Sequence, residues 1–170
     1  MAPEKKKSQA VRYALAAAGV IALDQLFKAW VRANIPLNPA PWQQIPLIPG
    51  VIHLSHIHNE GVAFGMLQGG RWAFVALLAG FCALVIWALC TNRLTTPWER
   101  WLAVLAMGGA LANGIDRALY GYVVDMLEVE FMRFAVFNLA DSFICVCAFL
   151  YVLLTLLKKE PKSDVEAPRP

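Results

Sequence analysis

Four long apolar segments constrain the fold of this chain more than any other feature. They cover about residues 12–31, 71–91, 98–118 and 136–157, and each approaches the ~20 residues that a helix needs to cross the hydrocarbon core of a bilayer. The composition agrees, since 59% of the 170 residues are hydrophobic, 16% are charged and the mean hydropathy is +0.53. We therefore expect one integral membrane domain with almost no soluble mass.

The basic residues are distributed unevenly around these segments. The loops at about 32–70 and 119–135 carry only Arg32 and Arg133, with Arg71 at the border of the first loop. Most other lysines and arginines precede the first segment, follow the fourth, or lie between the second and third. The positive-inside rule therefore predicts that both termini are cytoplasmic and both of these loops are outside. We interpret the basic clusters as topogenic or as contacts to membrane lipids, and expect no nucleic-acid partner.

The segments outside the helices are of two kinds. The terminal stretches 1–11 and 158–170 are polar and charged, which predicts disordered cytoplasmic tails. The longer outer loop, 32–70, is first rich in proline and then alternates, with many β-branched residues. We expect short strands or a small sheet there, lying on the membrane surface. The predicted fold class is an all-α membrane protein, a four-helix bundle with this small β structure outside.

Three acids on three helices lie at a similar depth. Counted from the cytoplasmic basic residues at roughly 1.5 Å of rise per residue, Asp24, Asp116 and Asp141 lie about 18, 24 and 26 Å along their helices. Asp125 follows in an outer loop that begins and ends at the same boundary. Ionisable groups at such depth face the bundle interior or a wet cavity, so all four acids are candidates for function.

Two of these acids have basic neighbours in sequence. Lys28 lies one helical turn after Asp24, a spacing that favours an ion pair. Arg117 directly follows Asp116, and we expect it to neutralise that acid through a neighbouring helix.

Asp125 and Asp141 have no basic residue within four positions on either side. Two carboxyls that approach closely cannot both ionise, so one can act as acid while the other activates water. On spacing alone two interpretations stay open, such a catalytic pair or acids that line a wet vestibule and cap helices. Asn59, Asn113 and Asn138 lie beside these acids and suit either the binding of a peptide backbone or helix capping.

The histidines and cysteines form no metal or disulfide motif. They are His53, His56, His58, Cys82, Cys90, Cys145 and Cys147. A zinc peptidase would need His-Glu-x-x-His on a helix, which is absent from the sequence, so we interpret the histidines as surface residues at the headgroup level. The cysteines suit apolar packing positions.

Five sequence blocks resemble the signature motifs of one family in order and spacing. They are DQLFK from Asp24, HNEGVAFGM from His58, GGALANGIDR from Gly108, VVDM from Val123 and FNLADS from Phe137. Together they are similar to the bacterial lipoprotein signal peptidases (signal peptidase II), over about residues 12–157. The resemblance implies an intramembrane aspartic endopeptidase that cuts the signal peptide from prolipoproteins just before a diacylglyceryl-modified cysteine.

The same resemblance implies roles for individual residues. It makes Asp125 and Asp141 the catalytic pair, with no metal and no cofactor. It implies that a second group of residues binds substrate or supports the site, namely Asn59, Gly61, Asn113, Arg117 and Asn138. It makes a third group structural polar residues that hold the helices in register, namely Asp24, Lys28 and Asp116.

The family also implies the surroundings of the site. Its fold has a small periplasmic β-cradle and a loop over the active site, in the bacterial inner membrane. Peptide antibiotics of the globomycin type are the expected inhibitors. Without the resemblance, a proton-coupled transporter would remain as an alternative, although the sequence lacks the repeated halves that are common in transporters.

Overall fold

The computed structural model describes residues 3–61 and 70–158. These residues form α1 (Pro3–Asn34), a 3-10 turn (Pro41–Gln43), β1 (Ile45–Ile48), β2 (Ile52–Asn59), α2 (Arg71–Cys90), α3 (Pro97–Tyr120), β3 (Val123–Val129) and α4 (Leu139–Leu157). All four helices are long and apolar enough to cross a bilayer, so the chain is a multi-pass membrane protein. The predicted tail beyond Lys158 and the loop residues 62–69 lie outside the described ranges.

Two helices begin at positions that differ from the sequence prediction. α1 starts at Pro3, because proline suits the first helical position and Glu4 places a negative charge in the first turn. The expected disorder of 1–11 is therefore wrong from Pro3 onward. α4 starts at Leu139, after the predicted position 136, because the Asn138 side chain accepts a hydrogen bond from the Asp141 amide and caps the helix.

α3 is the central helix of the bundle and packs against the other three. Small residues bring its neighbours close: a Cβ added at Gly108 would lie 3.0 Å from Val20 Cβ of α1, and one added at Gly109 only 2.6 Å from the Ala140 oxygen of α4. α2 packs mainly against α3 and leaves most of its surface exposed. The bundle is therefore tight among α1, α3 and α4 and more open around α2.

A three-stranded antiparallel sheet covers one end of the bundle, in the order β1-β2-β3. Its inner face packs on the end of α1, where Val31, Ile35, Leu54, Val124 and Met126 form a buried core. The predicted small sheet in the loop 32–70 is present, but its third strand comes from the second outer loop.

Phe137, just before α4, pairs with Leu127 of β3 through a backbone bridge. The Phe137 amide donates to the Leu127 oxygen at 3.1 Å, and the Phe137 oxygen accepts from the amides of Leu127 and Met126 at 2.8 and 2.9 Å. This bridge holds the start of α4 against the middle of β3. It thereby brings two acid-bearing segments together at the end of the bundle that the sheet covers.

Candidate active site

Asp125 points from β3 into a nearly closed environment. Its side chain is only 2% exposed, and both carboxylate oxygens accept hydrogen bonds from amides. Asn138 Nδ2 donates to Oδ1 at 2.7 Å and Asn59 Nδ2 donates to Oδ2 at 2.8 Å. Asn59 is held in turn, because its Oδ1 accepts from the Gly61 amide at 3.1 Å. The last residue of β2 therefore orients a carboxylate on β3.

Asp141 lies in the first turn of α4 and is only partly buried. Its Oδ1 accepts from Asn113 Nδ2 of α3 at 2.7 Å, and its Oδ2 accepts from the Asn138 backbone amide at 3.3 Å. The carboxylate is thus held between two helices, with more access to solvent than Asp125 has.

Asn138 connects the two carboxylates. Its Oδ1 accepts from the Asp141 backbone amide at 2.9 Å, while its Nδ2 donates to Asp125. Asn138 is completely buried, so this arrangement is shielded from competing water. The helix cap and the contact to the second acid are therefore made by one amide, and the pair is close enough for electrostatic coupling.

Behind Asp141 lies a buried charge cluster on α1 and α3. Lys28 Nζ lies 2.7 Å from Asp24 Oδ2 and 2.6 Å from Asp116 Oδ2, and it donates to Asn113 Oδ1 at 3.0 Å. Gln25 Nε2 donates to the other oxygen of Asp116 at 2.8 Å. Lys28 and both carboxylates are completely buried, so each depends on the others for its charge balance.

The partner of Asp116 is Lys28 and not the sequence neighbour Arg117. Adjacent helical residues do not face each other, and the Arg117 guanidinium lies over the Phe74 ring of α2, 5.0 Å from its centroid. Arg117 is also close enough to Asp125 and Asp141 to interact with both electrostatically. It therefore flanks the acid pair from the side of α2.

Burial changes the acidity of Asp125. Loss of solvation raises its pKa from 3.8 to about 6, with a smaller contribution from the negative charge of Asp141, while the hydrogen bonds from Asn59 and Asn138 act in the opposite direction. Asp125 therefore holds a proton at a higher pH than an ordinary aspartate does.

The histidines of β2 have partners of their own. His56 Nδ1 lies 2.9 Å from the Ile35 oxygen, His58 stacks on Tyr122 with 3.7 Å between ring centroids, and His53 lies 3.5 Å from Glu130. Among the described residues, no three histidine, cysteine or acidic side chains are grouped as metal ligands.

The fold is shared with solved membrane enzymes. Two structures described as bacterial membrane enzymes, obtained by the in meso method at 2.3 and 1.9 Å resolution, match 92% and 88% of this chain with TM-scores of 0.80 and 0.77. Each match covers 94% of the solved chain at 24% sequence identity. This chain therefore has the same overall fold as those two membrane proteins.

Sequence comparison defines the family. Residues 16–157 match the family model described as signal peptidase (SPase) II. A lipoprotein signal peptidase of Streptococcus thermophilus (strain CNRZ 1066) is 40% identical over 85% of this chain and 91% of its own. One from Streptococcus pyogenes serotype M6 is 37% identical over 85% of this chain and 92% of its own. The chain belongs to the signal peptidase II family of aspartic peptidases, as its motifs indicated.

Proposed function

We propose that this protein is an intramembrane aspartic endopeptidase that removes signal peptides from prolipoproteins. Its substrates carry a diacylglyceryl group on a cysteine, and the cut falls just before that cysteine. Family membership and the relatives named lipoprotein signal peptidases support the activity. We place the protein in the bacterial inner membrane, with both termini cytoplasmic and the site near the outer face.

The arrangement around Asn138 carries this proposal. One buried amide contacts Asp125 from β3 and the first turn of α4, which bears Asp141. Each carboxylate is oriented by a further asparagine, Asn59 or Asn113. Three fixed side-chain amides around two acids favour acid–base chemistry over simple capping, because a cap alone needs only one of them.

The different exposure of the two acids supports a division of roles. Asp125 is nearly buried and its pKa is raised to about 6, so it supplies the proton. Asp141 accepts a proton from water, whose oxygen attacks the scissile carbonyl carbon while Asp125 protonates the carbonyl oxygen. When the carbon–nitrogen bond breaks, Asp141 passes its proton to the leaving nitrogen and the carbonyl proton returns to Asp125. Both acids end in their starting state, and no covalent intermediate forms.

The surroundings of the pair suit a lipid-linked peptide. The partly exposed Asn59 and Arg117 lie beside the acids and offer N–H donors to a peptide backbone, and the Gly61 amide is held close by through Asn59. The open surface around α2 offers an apolar wall to the acyl chains. Peptide antibiotics of the globomycin type are the expected inhibitors at the same site.

Isosteric replacement of either acid tests the proposal. Asp125→Asn and Asp141→Asn keep the shape of the site but cannot exchange a proton. We expect cleavage of a diacylglyceryl-modified prolipoprotein by purified protein to fall by at least about 10²–10⁴-fold. Glu130→Gln neutralises an exposed acid just after the end of β3, and this matched control should keep the parent rate. A rate within about tenfold of the parent, a gap of ~1.4 kcal/mol, would remove that acid from the catalytic pair.

A further inference from the structure

Lys28 makes more contacts than a helix–helix ion pair requires. Its ammonium forms ion pairs with two carboxylates, Asp24 and Asp116, and it also donates a hydrogen bond to Asn113 Oδ1 at 3.0 Å. An ammonium has three donors and no acceptor. Asn113 must therefore turn its side-chain oxygen, and not its NH₂ group, toward Lys28.

This contact determines what Asn113 presents to the site. With its oxygen held by Lys28, the amide nitrogen lies 2.7 Å from Asp141 Oδ1 and donates to it. A reversed amide would place NH₂ against the ammonium and oxygen against the carboxylate, and both contacts would be repulsive. Lys28 is completely buried, so no water substitutes for the lost bonds.

The cluster also holds the backbone next to Asp141. Asp24 Oδ1 accepts from the Ala140 amide at 2.9 Å, one residue before the acid. Gln25 Nε2 donates to Asp116 Oδ1 and to the Ala112 oxygen, at 2.8 and 3.2 Å. The cluster around the buried Lys28 ammonium therefore holds both the Asn113 side chain and the backbone at Ala140.

We propose that Lys28 is a positioning residue for the peptidase reaction, which fixes the amide of Asn113 so that Asp141 always faces a hydrogen-bond donor. This inference rests on the proposed function. It adds that the lysine acts on the protonation of the acid pair, beyond its part in holding α1 against α3. Asn113 thereby keeps an N–H donor against the carboxylate that receives a proton from water in the proposed reaction.

A single Lys28→Met variant would leave two unpaired buried carboxylates and is not expected to fold well. The informative variant is the neutral triple, Asp24→Asn with Lys28→Met and Asp116→Asn. It keeps the approximate shape of the cluster and leaves no unpaired buried charge. Gly108→Ala is the matched control for stability, because its Cβ would press on Val20 between the same two helices at 3.0 Å without touching Asn113.

The measurement is kcat and KM against pH for a lipidated prolipoprotein. We expect the triple variant to lose at least about tenfold in kcat with little change in KM. The acid-side limb of its pH profile, which reports the acid pair as a whole, should move to higher pH, since the pair loses the fixed donor of Asn113. Gly108→Ala should keep the parent profile even if its Tm falls.

The direction in which the pH profile moves distinguishes a positioning effect of Lys28 from the simple loss of charges near the acids. The charged groups that face Asp141 from the elements around it are Asp24, Lys28, Asp116, Arg117 and Asp125. Two carboxylates and one ammonium carry a formal charge of −1. Their removal would by electrostatics alone move the limb to lower pH, the opposite of the expected result.

Two outcomes would overturn the inference. The first is a folded triple variant, judged by Tm and binding of a lipopeptide inhibitor, that keeps the parent kcat and pH profile. The second is spectroscopic: in ¹⁵N-asparagine-labelled protein, the side-chain amide signal of Asn113 should differ between the parent and the triple variant, and an unchanged signal contradicts the contact with Lys28. The proposed function fails separately, if Asp125→Asn or Asp141→Asn remains active.

Discussion

At the scale of single residues, Asn138 shows how one side chain serves the fold and the site together. Its oxygen caps α4 and its nitrogen orients Asp125. The sequence left capping and site support as alternatives for this residue. Asn138 fills both roles, because its acceptor oxygen faces the first turn of α4 and its donor nitrogen faces Asp125 on β3.

The raised pKa of Asp125 makes folding stability depend on pH. Because the folded state binds this proton more tightly than the unfolded chain does, its stabilising contribution is complete below about pH 3.8 and is lost as pH rises through about 6. The shift of about two units corresponds to roughly 3 kcal/mol. The Asp125→Asn side chain does not titrate, so its own effect on folding stability is the same at every pH.

The measurement is Tm in detergent for parent and Asp125→Asn between pH 4 and 8. The Tm of the variant relative to the parent should rise across the window from about pH 4 to 6. Parallel curves would show that Asp125 titrates alike in the folded and unfolded chain.

The residue contacts were only partly predictable from sequence. The pair of Asp24 and Lys28 follows from helical spacing, and it is present. The second partner of Lys28, Asp116, lies on α3, and helix packing rather than sequence spacing brings the two together. Adjacency in sequence wrongly suggested Arg117 as the partner of Asp116, because successive side chains on a helix point in different directions.

At the scale of elements, Gly109 sets how closely α3 and α4 approach. A Cβ there would lie 2.6 Å from the Ala140 oxygen, which is backbone and cannot rotate away. Gly109→Ala should therefore push on the first turn of α4, cost about 1–3 kcal/mol of stability and lower the cleavage rate. Tm and kcat measure both effects.

The control is Gly80→Ala on α2, where an added Cβ meets nothing within 4 Å. It should match or exceed the parent Tm, because alanine is the better helix former. Equal behaviour of the two variants would contradict tight α3–α4 packing at Gly109.

The helices were predictable as elements, whereas β3 was not. Long apolar runs reveal membrane helices without any tertiary information. β3 is buried on both faces along Val123–Leu127, so it lacks the alternation that reveals a half-exposed strand. Its partner β2 is distant in sequence, and only the pairing of the two makes β3 a strand.

At the scale of the whole molecule, the four helices that can span a bilayer predict that the described ends, near Pro3 and Lys158, lie on one side. The charge distribution predicts that this side is the cytoplasm. In a background with Cys82, Cys90, Cys145 and Cys147 replaced by Ala or Ser, Leu47→Cys on β1 should react with an impermeant maleimide added to intact spheroplasts.

Thr95→Cys, in the short loop between α2 and α3, should react only after lysis. Both positions are exposed, so access to the reagent and not burial determines the result. Labelling of position 95 in intact spheroplasts would reverse the assigned orientation.

The backbone bridge between Phe137 and Leu127 makes the position of α4 independent of the loop that precedes it. It closes the chain around the exposed residues 131–135 and fixes the start of α4 beside β3 whatever that loop contains. Lengthening a closed surface loop has a small entropic cost. We therefore expect residues 131–135 to accept substitutions and engineered insertions while the bridge keeps the two acids in place.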